Sequence, residues 1–210
     1  TVMLASPWDS PQTLARAWCL WELHCTVVTG TKLSVCLAIT NQEKDGLRTT
    51  LAKDAGQSVL AALSKIDVRN AEASKPDDKK MILDAVRRSE GGYEALNNRV
   101  VDQLRQQFLA VFTGWLLELR STKGFLKTKP SLDMAYSVAM LLRKLGDQKE
   151  SRTLWEEVTG GYIKMFGPDA DSTMTARAEL ATAMAMDGQI REARAHFDEL
   201  LSIHIKNYGH

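Results

Sequence analysis

The sequence has little cysteine and almost no excess charge of either sign. Its three cysteines are too few for a disulfide framework, and Cys19 and Cys25 lie six positions apart on a predicted helix, where their side chains point in different directions. We therefore expect a reducing compartment, cytoplasmic or another intracellular one. With 27 Lys and Arg against 26 Asp and Glu, the formal charge of +1 gives no general attraction to nucleic acid or to an anionic membrane.

Long apolar runs are also missing. The most apolar stretch, residues 108–119, is interrupted by Thr113 and Glu118, whereas a membrane-spanning helix needs about 20 apolar residues. The first residues show no basic, apolar and small-residue leader of a secretory signal. We therefore expect no membrane span, and a composition of 44% hydrophobic and 25% charged residues predicts a folded, globular chain.

The spacing patterns of common metal and phosphate sites are absent as well. The histidines near the C-terminus have no closely spaced cysteine or acidic partners, so no metal is expected. The pairs Gly91–Gly92 and Gly160–Gly161 are not followed by Lys and then Ser or Thr, which a phosphate-cradling loop needs. The residues themselves therefore predict no cofactor.

What is present first is a strand, helix and strand pattern. Apolar runs cover residues 1–6 and Lys32–Ile39, and a helix is predicted between them from Pro11 to Thr29 with Ser10 as its N-cap. Strands joined by a helix in this order pair in parallel. The large apolar residues of the helix form the stripe that we expect to face the core: Leu14, Trp18, Trp21, Cys25 and Val28.

This α/β region looks incomplete. Two helical patterns follow it, at Gln42–Ala55 and Gln57–Ser64, and Lys65–Val68 is a candidate third strand. A parallel sheet normally has more strands than two or three and helices on both faces. We therefore expect that part of the α/β domain precedes Thr1.

From residue 77 onward the pattern is helical throughout. One helix reaches about Glu90, a break falls at Gly91–Gly92, and a long helix covers Tyr93–Ser121. The stripe of this long helix has three- and four-residue steps: Leu96, Val100, Leu104, Phe108, Val111, Trp115 and Leu119.

The last 80 residues contain an internal repeat. Sliding the chain on itself by 42 positions aligns Gly146 with Gly188 and Trp155 with Phe197, and it aligns Gly167 with the glycine at 209. Each unit is predicted to be two amphipathic helices joined at a glycine turn, with the aromatic residue as a buried plug on the second helix. Because one helix pair cannot bury its apolar face alone, such hairpins stack.

Residues 131–210 resemble tetratricopeptide repeats, and the 42-residue period resembles the kinesin light chain subtype. The residues that carry the subtype resemblance are Gly167, Pro168, Asp169 and Thr173 between the units. Ser151 departs from the family's small alanine. The resemblance implies a helical groove that holds a peptide or a partner helix.

The expected groove indicates which residues would bind a partner. Ligands of such repeats usually contact the first helix of each hairpin, and its positions with mixed charge suit a polar peptide. The candidate partner-binding residues, all expected to be exposed, are Asp133, Ser137, Lys144, Arg177 and Glu179. Hairpins that only cap or space other domains are the alternative.

Residues 1–70 resemble the later part of a Toll/interleukin receptor-like (TIR) domain, which has a flavodoxin-like fold. The resemblance lies in the segment Arg16-Ala-Trp-Cys-Leu-Trp-Glu-Leu, placed after an apolar strand and before a second one. In TIR domains that cleave NAD, the glutamate of this motif is catalytic, and it falls on Glu22. The resemblance therefore implies NAD as a possible substrate and Glu22 as the group that stabilises oxocarbenium-like charge.

A second interpretation of Glu22 is an ordinary helical acid that is solvated or paired with Arg16. On the catalytic interpretation, Trp18, Trp21 and Leu23 would desolvate the Glu22 carboxylate and raise its pKa. The expected first strands of a nucleotide pocket are not in this sequence. We therefore expect no turnover by this chain.

Together these patterns predict a predominantly helical protein in three parts. They are a partial TIR-like α/β segment at 1–75, a helical connector at 76–125 and two tetratricopeptide-like hairpins at 126–210, an α-solenoid arrangement. The favoured function is a protein-interaction scaffold or adaptor in a larger assembly. The alternative is a truncated piece of a TIR-like NAD glycohydrolase. The identity of the partner and the number of repeats in the parent protein stay open.

Overall fold

The computed structural model of the chain describes residues 1–37 and 40–209, apart from the side chains of residues 41 and 208. This part is predominantly helical, with two short strands and nine α-helices. It forms two compact units. The first consists of Thr1–Thr49 with Gln57–Val111, and the second of Thr50–Gly56 with Phe112–His210, whose last residue lies outside the description.

The first unit begins with the predicted parallel strand pair. Strand β1 (Val2–Ala5) pairs with β2 (Ser34–Leu37), with Val2 opposite Ser34 and Ala5 opposite Leu37. The parallel pairing is confirmed, although residues 38–39 of the predicted second strand lie outside the described residues. In the described part of the chain the sheet has two strands, so a flavodoxin-like or TIR-like fold is not confirmed.

Helix α1 (Ala17–Val28) starts six residues later than predicted, and Ser10 does not cap it. Residues Gln12–Ala15 form a 3-10 turn instead. The cause is a short parallel bridge: the Ala17 amide donates to the Glu72 carbonyl at 2.8 Å, and the Glu72 amide donates to the Ala15 carbonyl at 2.8 Å. The bridge keeps the backbone extended just before the helix.

The stripe predicted for α1 is wrong. The buried face consists of Ala17, Leu20, Leu23 and Thr26, whereas Trp18 is 46% exposed and Val28 is 64% exposed. The side of α1 that faces the core carries the smaller residues. A ranking by residue size therefore selected the wrong face.

The third strand predicted at Lys65–Val68 is also absent. The Asp67 carboxylate accepts hydrogen bonds from the Arg69 amide at 3.0 Å and from its guanidinium at 2.8 Å, which closes a 3-10 turn at Val68–Asn70. Side-chain bonds of this kind compete with strand pairing. The same Arg69 bonds lower the pKa of Asp67 to about 2.

Four helices follow in the order predicted. They are α2 (Asn41–Asp54), α3 (Gln57–Ser64), α4 (Pro76–Arg88) and α5 (Gly92–Ser121). Gly91 and Gly92 separate α4 from α5 with positive φ values of 71° and 52°, a conformation that favours glycine. The predicted stripe of α5 is buried at Leu96, Val100, Leu104, Phe108 and Trp115, while Val111 and Leu119 are only half-buried.

The second unit contains the two predicted helical hairpins. They are α6 (Lys129–Leu145) with α7 (Gln148–Phe166), and α8 (Asp171–Met186) with α9 (Ile190–Tyr208). Each helix packs mainly on its neighbour in sequence. The aligned glycines of the two hairpin turns share a positive φ, with values of 102° at Gly146 and 84° at Gly188. The internal repeat is therefore a structural one.

Close helix packing explains the departure at Ser151. Its side chain is fully buried, and its hydroxyl donates to the Ala139 carbonyl at 2.9 Å. A serine fits this small-residue position because its one polar group has a partner.

The prediction of two equivalent aromatic plugs holds in only one hairpin. Trp155 is fully buried and meets the Tyr136 ring edge-on, with 4.8 Å between ring centroids. Phe197 is 41% exposed, so its predicted role as a buried plug is wrong. Trp155 on α7 lies between α6 and α8, whereas the described residues place a helical neighbour of α9 only on its α8 side.

Candidate partner-binding site

The second unit carries a polar pocket along its first hairpin. Helix α6 supplies most of one wall, and α7, α8 and residues 52–55 supply the rest. We call this pocket the inner-face site. Its described lining is Ala52, Lys53, Asp54, Ala55, Lys129, Asp133, Tyr136, Ser137, Tyr162, Ser172 and Thr175.

Asp133 is the electrostatic centre of the inner-face site. One carboxylate oxygen pairs with the Lys129 ammonium at 2.7 Å, and the other accepts a hydrogen bond from the Tyr162 hydroxyl at 3.0 Å. Burial and this bond to a carboxylate both raise the pKa of the Tyr162 phenol. The Tyr162 hydroxyl is therefore held as a hydrogen-bond donor to Asp133, and the residue as a whole is only 5% exposed.

A second polar pair joins α6 to α8. Arg143 of α6 and Glu179 of α8 form an ion pair at 2.7 Å, with side chains 14% and 23% exposed. Tyr136 lies near both groups, and its pKa is raised by burial and by the Glu179 charge. Ion pairs with this little water around them are less screened than surface pairs. The pair holds α6 and α8 together beside the inner-face site.

The structure places the five predicted partner-binding residues in different settings. Asp133 and Ser137 line the inner-face site, and Glu179 lies beside it in the ion pair with Arg143. Lys144 is half-buried near the end of α6. Arg177 instead pairs with Glu199 of α9 at 2.6 Å, so its side chain is directed between the helices of the second hairpin.

The expectation that Ser137 is exposed is wrong. Ser137 is only 5% exposed, and its hydroxyl donates to the Asp133 carbonyl at 3.0 Å. A short side chain that bonds back to its own helix stays close to the backbone. Ser137 therefore forms the floor of the pocket rather than its rim.

Sequence reasoning missed three parts of the site. Tyr136 lies three residues after Asp133, which puts both on one helical face and was a usable signal. Tyr162 comes from the second helix of the hairpin, and residues 52–55 come from a segment more than 70 positions away. No local spacing connects those two groups to α6.

Glu22 lies in the first unit, on the solvent-facing side of α1. The residue is exposed, and within the described residues its carboxylate has no hydrogen-bond or ion-pair partner, Arg16 included. The predicted desolvation by Trp18, Trp21 and Leu23 is wrong, because Leu23 points into the core and Trp18 is itself 46% exposed. The apolar surroundings predicted for the Glu22 carboxylate are therefore not formed by these residues.

Metal-binding clusters and membrane-spanning helices are both absent from residues 1–37 and 40–209. There, no three or more His, Cys, Asp and Glu side chains are grouped closely enough to hold a metal ion. Within the same part of the chain, no helix has the length and apolar character needed to cross a membrane.

Comparisons with known proteins bear on the hairpins. Residues 173–210 match the family model described as tetratricopeptide repeat. No curated protein matches the chain. Among solved structures, the chain is similar to a crystal structure of nearly identical TPR-like repeats from a candidate kinesin light chain of Podosopora anserina, with 19% identity over 96% of this chain and 79% of that chain and a TM-score of 0.38.

The family match covers the second hairpin and confirms the predicted tetratricopeptide resemblance over residues 173–210. The kinesin light chain subtype stays a prediction, and a preceding TIR-like domain is not shown. Residues 173–210, which cover most of α8 and α9, are similar to a tetratricopeptide repeat.

Proposed function

We propose that this chain is a protein-interaction module and that the inner-face site holds a segment of its partner. The observation that carries the proposal is a pocket built by the first helices of two stacked hairpins, one of which matches a tetratricopeptide repeat. Stacked repeats commonly use such surfaces to bind peptides.

The chemistry of the pocket favours a polar peptide of mixed charge. Lys53 and Lys129 bring cations to its walls, Asp54 and Asp133 bring carboxylates, and Ser172 and Thr175 add exposed hydroxyls. Charged groups near solvent give specificity and salt sensitivity more than affinity. We therefore propose modest, salt-dependent binding in which Asp133, Ser137, Lys144 and Glu179 take part, with Arg177 contributing from the edge.

The finer assignments are proposals of the same kind. The period of 42 residues and the linker with Gly167, Pro168, Asp169 and Thr173 support hairpins of the kinesin light chain type. A scaffold or adaptor role in a multi-subunit assembly, in a reducing intracellular compartment, agrees with this and with three free cysteines. The proposed domain boundaries are 1–75, 76–125 and 126–210.

The proposal can be tested without knowing the natural partner. A random 12-residue peptide library displayed on phage is selected against the purified chain, and enriched peptides are measured by fluorescence anisotropy. Lys129→Glu, in the wall of the inner-face site, is compared with Lys164→Glu, which makes the same charge change at an exposed position on α7. We expect affinity to change at least tenfold for Lys129→Glu and less than twofold for Lys164→Glu.

Two results would contradict the proposal. One is a library that yields no peptide with saturable binding. The other is an equal effect of the two lysine substitutions, since this would mean that net charge, rather than the inner-face site, controls binding.

The NAD glycohydrolase alternative keeps one supporting observation, the parallel pairing of β1 and β2 on either side of α1 in sequence, the helix that carries Glu22. Its test is nicotinamide release from NAD by the purified chain and by Glu22→Gln, which preserves side-chain shape and removes the charge. We expect no release by either protein. Release that disappears in Glu22→Gln would favour the enzyme.

A further inference from the structure

We propose that an exposed face of α9 is a second interaction surface, which binds an amphipathic helix of another protein in the way that α7 binds α8. This surface consists of Phe197, Leu200 and Leu201 with Arg194 beside them, and we call it the α9 face. It lies on a different helix from the inner-face site and takes a different kind of partner segment. The inference starts from the 42-residue repeat, which pairs each residue of α9 with a residue of α7.

The residues of the α9 face are exposed where their counterparts in α7 are covered. Phe197 is 41% exposed and Leu201 is 56% exposed. Their counterparts 42 positions earlier, Trp155 and Thr159, are 0% and 6% exposed. Together with residues of α8, the α9 face lines a mostly apolar groove of about 560 Å³. Exposed apolar side chains that lie together, unlike single ones, are typical of interaction surfaces.

The first hairpin shows which kind of helix covers such a surface. Helix α8 lies on α7, where the Thr159 hydroxyl donates to the Ala176 carbonyl at 3.4 Å. At the C-terminal end of α8, Asp187 pairs with the Arg152 guanidinium of α7 at 2.6 Å. The buried residues of α8 are all small: Thr173, Ala176, Ala181 and Ala183. The helix that fits the α9 face therefore has a side of small residues and a carboxylate at its C-terminal end.

The charges of α7 recur in α9. Arg152 pairs with Glu156 within α7 at 3.2 Å, and it also reaches Asp187 of α8. The counterparts Arg194 and Asp198 pair within α9 at 3.8 Å. The Arg152 side chain is 26% exposed, whereas that of Arg194 is 83% exposed. Arg194 can therefore pair with a carboxylate at the end of a docked helix, as Arg152 does with Asp187.

The occupant is a helix of a different protein rather than a second copy of this chain. In a second copy, α8 is already packed between α7 and α9, so its small-residue side would become available only if the hairpins came apart. An amphipathic helix that lies in an apolar groove is a common mode of protein recognition. The hairpins would then offer a polar pocket at the inner-face site and an apolar surface for a helix on α9.

A synthetic peptide of residues 170–188, which contains α8 and its caps, is the probe. Its binding to the purified chain is followed by fluorescence anisotropy of a dye at the peptide N-terminus. Leu201→Glu is compared with Ile205→Glu, because these residues are 56% and 49% exposed but the α7 counterpart of Ile205, Ile163, stays 40% exposed beside α8. We expect saturable binding that Leu201→Glu weakens at least tenfold and Ile205→Glu less than threefold.

A charge exchange tests how the helix lies on α9. Arg194→Asp should weaken binding of the peptide at least threefold, and a peptide with Asp187→Arg should bind Arg194→Asp more tightly than it binds the unmodified chain. Lys206→Asp makes the same charge change at the counterpart of the exposed Lys164, so it should alter the affinity less than twofold. Binding that responds to Arg152→Asp instead of Arg194→Asp would mean that the peptide replaces α8 on α7, and the proposal would be wrong.

Two binding results would overturn the proposal: no saturable binding of the peptide, or equal effects of Leu201→Glu and Ile205→Glu. Far-UV circular dichroism of both variants checks that the helices are kept. Sedimentation equilibrium over a hundredfold range of concentration tests the second copy as occupant. We expect a monomer, whereas a dimer that Leu201→Glu dissociates would assign the α9 face to a second copy and contradict a different protein. None of these measurements uses the inner-face site, so their outcome is independent of the proposed function.

Discussion

The two hairpins share one sequence period but not one degree of burial. Eight residues of α6 and seven of α7 are buried, against four of α8 and, among the described residues of α9, Ala193 alone. The turns at Gly146 and Gly188 have the same left-handed conformation. The difference teaches that the repeat pattern determines the backbone, while packing on both sides of a helix determines how much each residue stabilises.

The largest test of this difference compares Trp155 and Phe197, which occupy equivalent positions 42 residues apart. Truncation of the fully buried Trp155 to Ala leaves a cavity and should lower the free energy of unfolding by about 3–5 kcal/mol. Phe197→Ala, at a residue 41% exposed, should cost no more than about 1.5 kcal/mol. Urea unfolding followed by far-UV circular dichroism measures both.

Equal costs for Trp155→Ala and Phe197→Ala would break the comparison, since they would show that Phe197 is as well covered in solution as Trp155. Because Trp155 is one of five tryptophans, its removal changes the tryptophan emission of the protein. The far-UV signal, rather than tryptophan emission, is therefore the measure of unfolding.

The next test concerns adjacent glycines in α7. A Cβ on Gly161 would clash with Cδ2 of the fully buried Leu132, whereas a Cβ on Gly160 meets nothing within 4 Å. Gly161→Ala should therefore cost about 1–3 kcal/mol by overpacking. Gly160→Ala should stabilise the helix by up to about 1 kcal/mol. Thermal midpoints that move in the same direction for both substitutions would refute the close approach of α6 and α7.

A smaller test compares the ion pairs of the two hairpins. Arg143 and Glu179 are 14% and 23% exposed, whereas Arg177 pairs with Glu199, whose side chain is 58% exposed. Double-mutant cycles with alanine should give a coupling of about 1 kcal/mol for the first pair and about 0.3 kcal/mol for the second, because water and salt screen the exposed pair. A larger coupling energy for Arg177 with Glu199 than for Arg143 with Glu179 would contradict the expectation that the less exposed pair is the stronger one.

The smallest expected effect is a pH dependence from Tyr162. The pKa of this phenol is raised in the folded state, so its contribution to stability is complete below the unfolded pKa of about 10 and is lost as the pH rises further. Tyr162→Phe should remove this alkaline decline while keeping the ring. The measurement is the difference in urea midpoint between the two proteins from pH 8 to pH 11. A constant difference would show that the Tyr162 pKa is not shifted.

The sequence predicted features that depend on local order. Glycine at Gly146 and Gly188 indicated the turns because a left-handed residue is needed there, and the 42-residue period indicated two hairpins. It failed where a distant residue decides. The start of α1 depends on the bridge to Glu72, and the missing strand at 65–68 depends on the Asp67 turn.

The candidate site shows the same limit. Asp133 and Ser137 follow from helical spacing, since residues four apart share a face. Tyr162 and residues 52–55 reach the site through tertiary packing, which the periodicity of α6 does not indicate. The exposure of Phe197 could not be predicted either, because the repeat pattern indicates the position of a residue on its helix but not which helices pack against it.

The serial packing of α6, α7, α8 and α9 has a consequence for how this protein opens. Each hairpin helix contacts mainly its sequence neighbours, so structure can be lost one helix at a time rather than all at once. With Ala193 as its one buried residue in the described part, α9 has the least to lose by detaching. Native-state hydrogen exchange should therefore be fastest in α9, slower in α8 and slowest in α7, giving the hairpins a graded resistance to unfolding from one end.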